Sequence, residues 1–324
     1  MVITVLGEVD AADLGVTLPH EHVFFDGTLE RQALSLDYTV IVEEVRHFKV
    51  AGGQTLVDVT PRDLRGAGVQ DPQGAVRRAA GQNTRSLAAS PVEALRDLSR
   101  DTGVTIIAGT GYYRDPYLDR DWFDRHSVDE IAEVLVRDIT EGIDGTGVRA
   151  GIIGEIAARK WYISAAEERS FRAAARAHKQ TGLTITTGAT PWPVGLQQLD
   201  VLDSEGIDPR RVVIGNCDKI NLPEYHDEIL RRGAWVQFDT IRGGNQREVE
   251  ARLSYITRLI DAGFLDRILL SHDIFKAEHF KANGGTGFDY LLTSFADLLR
   301  ERGVGDKELH CMLVDNPRRM LTDE

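Results

Sequence analysis

Residues 151–187 read GIIGEIAARKWYISAAEERSFRAAARAHKQTGLTITT, and this one stretch spells a complete strand–helix–strand unit. Gly151–Glu155 is a short, nearly continuous apolar run, the pattern of a parallel strand covered on both faces. Ser164-Ala-Ala-Glu167 then has the spelling of a capping box, in which hydroxyl and carboxylate satisfy each other's backbone N–H groups at a helix start. The pattern predicts a helix over Ser164–Lys179, followed by a second strand over Leu183–Thr187.

The same alternation extends in both directions. Further strand-like runs are Gly15–His20, Thr55–Thr60, Val104–Gly109, Arg211–Gly215, Ala234–Phe238 and Arg267–Ser271, which makes eight in all. Helices are expected over Tyr38–Val50, with Val42, Val45 and Phe48 on one face, and over Ser127–Glu141, which opens with a second capping-box spelling, Ser127-Val-Asp-Glu130. Arg247–Ala262 and Phe288–Arg302 complete the series. Eight strand–helix repeats argue for an α/β fold, a closed (β/α)8 TIM barrel with a short N-terminal β extension, rather than an open sheet. Neither a Gly/Ser/Pro-rich linker nor a charge block interrupts the chain, so residues 1–324 are expected to form a single domain. The loosest segment, Arg62–Ser90, reads as a long loop with helical pieces.

Composition narrows the class of partner. The 324 residues carry 38 Lys and Arg against 51 Asp and Glu, a net charge of −13. A field of that sign repels a phosphate backbone, which argues against nucleic acid. Two cysteines, Cys217 and Cys311, are too few for a disulfide framework and suit a reducing compartment. The opening MVITVLGEVDAADLG lacks the basic start and long apolar run of a secretory signal. No window reaches the ~18 consecutive apolar residues of a membrane span. The expectation is a soluble cytoplasmic protein that acts on a small molecule, with no membrane partner.

Barrel chemistry sits where strands end at the C-terminal face. The first run ends in Pro19-His20-Glu21-His22. Side chains alternate along a strand, so His20 and His22 share one side and Glu21 takes the other. Two imidazoles so placed can bind one borderline-soft cation, although a lone H-x-H also occurs as two ordinary turn histidines. The fourth run ends in Glu155, where a carboxylate needs a metal or an ion pair, with Arg159 or Lys160 as the alternative partners. The eighth ends in Leu269-Leu-Ser-His-Asp273, where Asp273 is a ligand or a cap of the following turn. Taken together, His20, His22, Glu155 and Asp273 point to a metal site.

These residues lie in segments that resemble the phosphotriesterase family of the amidohydrolase superfamily, and within it the phosphotriesterase-related proteins. The segments are LGVTLPHEH at 14–22, GTGYY at 109–113, RAGIIGEI at 149–156, DPRRVVIG at 208–215, LLSHDI at 269–274 and VDNPRR at 314–319. The resemblance implies a binuclear site. His20, His22 and Asp273 would hold one metal, Glu155 would bridge to the second, and Asp273 would accept the proton of a hydroxide nucleophile. Family members hold the second metal with two more histidines, ending strands five and six. Here those segments read Thr186-Thr187-Gly188 and Gly215-Asn216-Cys217-Asp218. Glycine offers no donor, Asn216 a neutral amide that suits zinc poorly, and Cys217 is expected to face away from the mouth.

Two nitrogen and two oxygen donors suffice for one divalent ion of the zinc type with an open position, so one ion is expected rather than two. Tyr113 matches a tyrosine that lies beside the nucleophile in lactonase-like relatives, so it is a candidate donor to substrate oxygen or else an aromatic wall. Arg242, just past strand seven, is a candidate for binding a substrate carboxylate or sulfonate, or else a solvated loop arginine. Trp192, in the loop Thr190-Pro-Trp-Pro193, is a candidate substrate wall. His272 is expected to be structural. The reading is a metal-dependent hydrolase in which metal-activated water attacks an ester, lactone, amide or phosphoester. The alternative, suggested by Gly188 and Asn216, is a degraded or non-hydrolytic small-molecule-binding barrel, or a lyase or isomerase. The resemblance also leaves a homodimer open.

Overall fold

The computed structural model describes residues 1–27, 29, 37–66, 69–70, 88–189 and 191–322. Eight parallel strands form its centre: β1 (Thr17–Glu21), β2 (Thr55–Asp58), β3 (Thr105–Thr110), β4 (Ile152–Ala157), β5 (Ile185–Gly188), β6 (Val212–Ile214), β7 (Trp235–Phe238) and β8 (Ile268–Leu270). Each pairs with its neighbours in sequence, so spatial order follows chain order. The barrel closes where β8 runs back to β1. There His22 N donates to Ile274 O at 3.0 Å and Asp273 N donates to His20 O at 3.1 Å. A separate antiparallel pair, Val2–Thr4 with Gly7–Val9, is the N-terminal β extension.

The unbroken apolar character of the strands follows from having two buried faces. Leu56, Ile106, Ile153, Val236 and Ile268 join the large cluster beneath the helices. Their immediate neighbours Val57, Ile107, Ile152, Trp235 and Leu269 belong to a second cluster inside the barrel, shared with Val2 and Leu14. Alternate residues therefore serve two cores, and the polar side chains are left for the strand ends.

The helices begin where local chemistry asks them to. Tyr38–Val50 forms over the span expected from its periodicity, capped by Asp37, whose carboxylate accepts from Thr39 N and Val40 N. Both expected capping boxes form, at Ser127 for the helix Val128–Arg137 and at Ser164 for the helix Ala165–Thr181. A third, Asn245 with Glu248, starts the helix Gln246–Asp261. The expected helix over Ser127–Glu141 widens at its end into a π turn, Asp138–Gly142. Most of the Arg62–Ser90 loop lies outside the described residues; within it, Val69–Gln70 pairs with Ala88–Ala89. No described helix is long and apolar enough to cross a membrane.

The Ser164 cap does more than start a helix. Glu167 Oε1 also accepts from Asp115 N at 3.2 Å and Arg159 N at 2.9 Å, and Ser164 Oγ donates to Asp115 Oδ2 at 2.7 Å, so the cap ties the loops after β3 and β4 together. Ser164→Ala should cost about 1–2 kcal/mol, the upper part of the usual N-cap range. A chemical-denaturation midpoint that falls at unchanged slope would show it, and an unchanged midpoint would refute it.

Candidate metal centre

Four of the side chains singled out above meet at the C-terminal mouth. On β1 the ladder slips register between Leu18 and Glu21, an irregularity that re-aims side chains beside a site. β4 slips likewise between Ile153 and Ile156, which brackets Glu155. His22 Nε2 lies 3.5 Å from Glu155 Oε2 and 3.4 Å from Asp273 Oδ1. His20 Nε2 stands 3.9 Å from each of the same two oxygens. His20, His22 and Asp273 each present one ligand atom within 4.8 Å of the others, and all three are buried. Glu155 faces both imidazoles beside that compact set.

The second ring nitrogens are held from behind. His22 Nδ1 faces Thr60 Oγ1 at 3.1 Å. His20 Nδ1 faces Asp239 Oδ2 at 3.1 Å, with Gln237 Nε2 2.8 Å away. That leaves His20 Nε2 buried with no hydrogen-bond partner among the described residues. A buried polar atom without a partner, aimed between two carboxylates, is what a cation ligand looks like before the cation is counted. Two nitrogen and two oxygen donors suit a divalent ion of the zinc type, so these residues fit such an ion.

Charge inside this group is strongly coupled. Burial alone would lower His22, but hydrogen bonding to Asp273 and Glu155, with their charges, pushes its pKa up to about 10. Burial alone would raise Asp273, but His22, Arg242 and His20 hold it well below the usual carboxylate range. Asp273 itself has left-handed backbone, φ +56. It is braced by Glu21, which points away from the cavity as strand alternation predicts. Glu21 Oε1 accepts from Ser271 Oγ at 2.8 Å and His272 N at 2.9 Å, and Oε2 accepts from Ile274 N at 2.9 Å. His272 is structural: Leu291 N donates to its Nε2 at 2.9 Å, which puts the ring proton on Nδ1, facing Glu21.

The cavity over the group has a volume of about 170 Å³ and is lined by His22, Glu155 and Asp273 together with Tyr113, Asn216 and Phe275. Burial, reinforced by the Glu155 carboxylate, pushes the Tyr113 phenol far up, so it stays a hydrogen-bond donor. Two other candidates do not line this cavity, although Arg242 Nη1 lies 3.4 Å from Asp273 Oδ2. Arg242 Nη1 donates to His272 O at 2.7 Å and Asp273 O at 2.5 Å and lines a neighbouring cleft instead. Its guanidinium is committed to the backbone that carries Asp273. Trp192 is 46% exposed and does not line the cavity; Thr190 in its loop lies outside the described residues. Cys217 faces away as expected, donating to Ile214 O at 3.2 Å.

The residues at the two departures are both engaged. A Cβ on Gly188 would fall 1.9 Å from Glu155 Oε1, so the carboxylate occupies the space that a side chain there would need. Asn216 takes left-handed backbone, φ +53, and donates through Nδ2 to Asp239 Oδ1 at 2.9 Å. Asp239, Gln237, Thr60 and Glu21 were not picked out as site residues from the sequence. Asp239 had a usable signal, since it ends strand seven just as Asp273 ends strand eight.

Comparison with known proteins finds matches along nearly the whole chain. The model of the phosphotriesterase family matches residues 1–70 and 75–321. A phosphotriesterase homology protein of Escherichia coli (strain K12) is 37% identical over 313 residues, covering 95% of this chain and 98% of that one. An N-acetyltaurine hydrolase of Tetraodon nigroviridis is 28% identical, covering 98% and 97%. The crystal structure of a lactonase from Listeria monocytogenes superposes with a TM-score of 0.84 at 26% identity, covering 100% of this chain and 99% of that one. With the family model matched almost end to end, the chain belongs to the phosphotriesterase family.

Proposed function

We propose that the protein is a hydrolase of small amides or lactones that uses one divalent cation, held by His20, His22 and Asp273 with Glu155 beside them. The observation that carries this reading is the buried His20 Nε2, without a hydrogen-bond partner among the described residues, 3.9 Å from each of two carboxylates and next to a second imidazole. When bound, the ion supplies Lewis acidity, lowering the pKa of water and polarising the scissile group. Asp273, its Oδ2 3.4 Å from Arg242 Nη1, orients the attacking water and takes its proton. Tyr113, kept protonated by burial, donates to the substrate oxygen. The aromatic walls Phe25, Tyr117 and Phe275 exclude bulk water, and Arg114 and Lys219 line the same cavity. A space of about 170 Å³ is below the usual range for drug-sized ligands, which favours a small acyl group. The N-acetyltaurine hydrolase and the lactonase among the relatives support carbonyl chemistry.

One ion is favoured over two because Glu155 fills the space over Gly188, and Asn216 has its amide turned onto Asp239. Zinc titration of chelator-stripped protein should saturate at one ion per chain and restore hydrolysis of a panel of N-acetyl amides and lactones. Two ions per chain would overturn the one-ion reading, and no binding would overturn the reading as a whole. Because His22 holds a proton in the cation-free protein, up to a pKa of about 10, ion binding at pH 7.5 should release about one proton and tighten as pH rises. Calorimetry in buffers of different ionisation heat measures this; binding without proton release would remove His22 from the ligand set.

A further inference from the structure

We propose that Asn216 is a positioning residue: it holds Asp239 against His20 Nδ1 and thereby aims His20 Nε2 at the cation. The proposal rests on the one-ion reading above. Three buried residues on two neighbouring strands carry it. Asp239 is completely buried at the end of β7, and its carboxylate needs several donors to be tolerated there. Asn216 supplies two of them: its backbone N donates to Asp239 Oδ2 at 3.0 Å, and its side-chain Nδ2 donates to Oδ1 at 2.9 Å. Gln237 Nε2 donates to Oδ2 at 2.9 Å. Oδ2 lies 3.1 Å from His20 Nδ1, and Gln237 Nε2, 2.8 Å from the same ring nitrogen, commits its proton to Oδ2, which leaves Nδ1 to donate to the carboxylate.

A proton on Nδ1 leaves the Nε2 lone pair free, and Nε2 is the atom that faces Glu155 and Asp273. A carboxylate behind a ligating histidine fixes ring orientation and raises ligand basicity, and losing such a partner typically costs 10–100-fold in metal affinity. Position 216 has two demands that asparagine meets together. It tolerates the left-handed backbone, φ +53, which most side chains disfavour, and it offers an amide at the right reach. The backbone also leaves little slack, since a Cβ on Gly215 would fall 2.9 Å from Asp239 Oδ2 and 2.4 Å from Thr187 O.

Two variants separate this role from a structural one. Asn216→Gly keeps the backbone conformation without strain and removes only the amide. Asn216→Asp keeps shape and size but sets a second carboxylate against Asp239. Zinc affinity of the chelator-stripped protein should fall about 10-fold in Asn216→Gly and about 100-fold in Asn216→Asp, at one ion per chain. Nitrogen-15 histidine spectra of the zinc-loaded wild type should show His20 protonated at Nδ1. Unchanged affinity in both variants, or a His20 proton on Nε2, would overturn the proposal. Loss of affinity that merely tracks loss of melting temperature in the cation-free variants would overturn it too. Failure of the wild type to bind zinc would instead defeat the one-ion reading on which it rests.

Discussion

Replacing His20 and His22 together with alanine is expected to abolish ion binding and to cut turnover at least ~10³-fold. The magnitude follows from losing a Lewis acid that contributes several kcal/mol to the transition state, at about 1.4 kcal/mol per factor of ten. Both imidazoles are buried and both face Glu155 and Asp273. Without them two carboxylates remain close together with no ion to share. Charge repulsion and desolvation then favour protonation of one of them, so the doubly substituted protein should gain a group that titrates above the ordinary carboxylate range. Elemental analysis and turnover on the amide and lactone panel measure the first effect. Chelator-treated wild type should match the variant in both. A variant that hydrolyses as fast as the wild type would show that the chemistry lies elsewhere.

Glu21→Ala should be the most destabilising single substitution near the mouth, by about 4 kcal/mol. This carboxylate takes hydrogen bonds from Ser271 Oγ, His272 N and Ile274 N, and faces His272 Nδ1 at 3.1 Å. Alanine strands all of these donors in a buried place. Each unsatisfied buried donor costs about 1–3 kcal/mol, and the several donors stranded here bring the loss to about 4 kcal/mol in total. At this chain length that corresponds to a melting temperature lower by roughly 6 °C. Glu21→Gln keeps the shape and two acceptor lone pairs, so it should fall between the two. Ion affinity should drop as well, because Asp273 depends on the same clasp for its left-handed backbone. A melting temperature within about 2 °C of wild type would show that β8 is held against β1 by other contacts.

The parts of the fold that were legible in the sequence are those written in local chemistry. Apolar runs mark strands with two covered faces, and the Ser127 and Ser164 boxes mark helix starts to within a residue. The strand-end rule led to His20, His22, Glu155 and Asp273. What it missed depends on contacts between distant positions. Glu21 alternates away from the cavity, as expected, but that it clasps the loop after β8 is settled only by barrel closure. Asp239 ends its strand as Asp273 does, yet its importance appears only when Asn216 and His20 arrive beside it. Arg242 is a free cation on paper, and its commitment to two carbonyls comes from the turn that carries Asp273. Gly188 reads as a lost ligand, while the space it leaves is taken by Glu155.

The clasp between Glu21 and His272 spans 251 residues of chain, and this has a bearing on biosynthesis. A ribosome adding about 5–20 residues per second makes the first half of the clasp some ~10–50 seconds before the second. During that interval β1 has no β8 to pair with, and the two histidines wait without the aspartate. On the one-ion proposal, loading would therefore be a late event that follows synthesis of the last quarter of the polypeptide. Nascent chains stalled before Ser271 should remain clients of chaperones that shield unpaired strand edges.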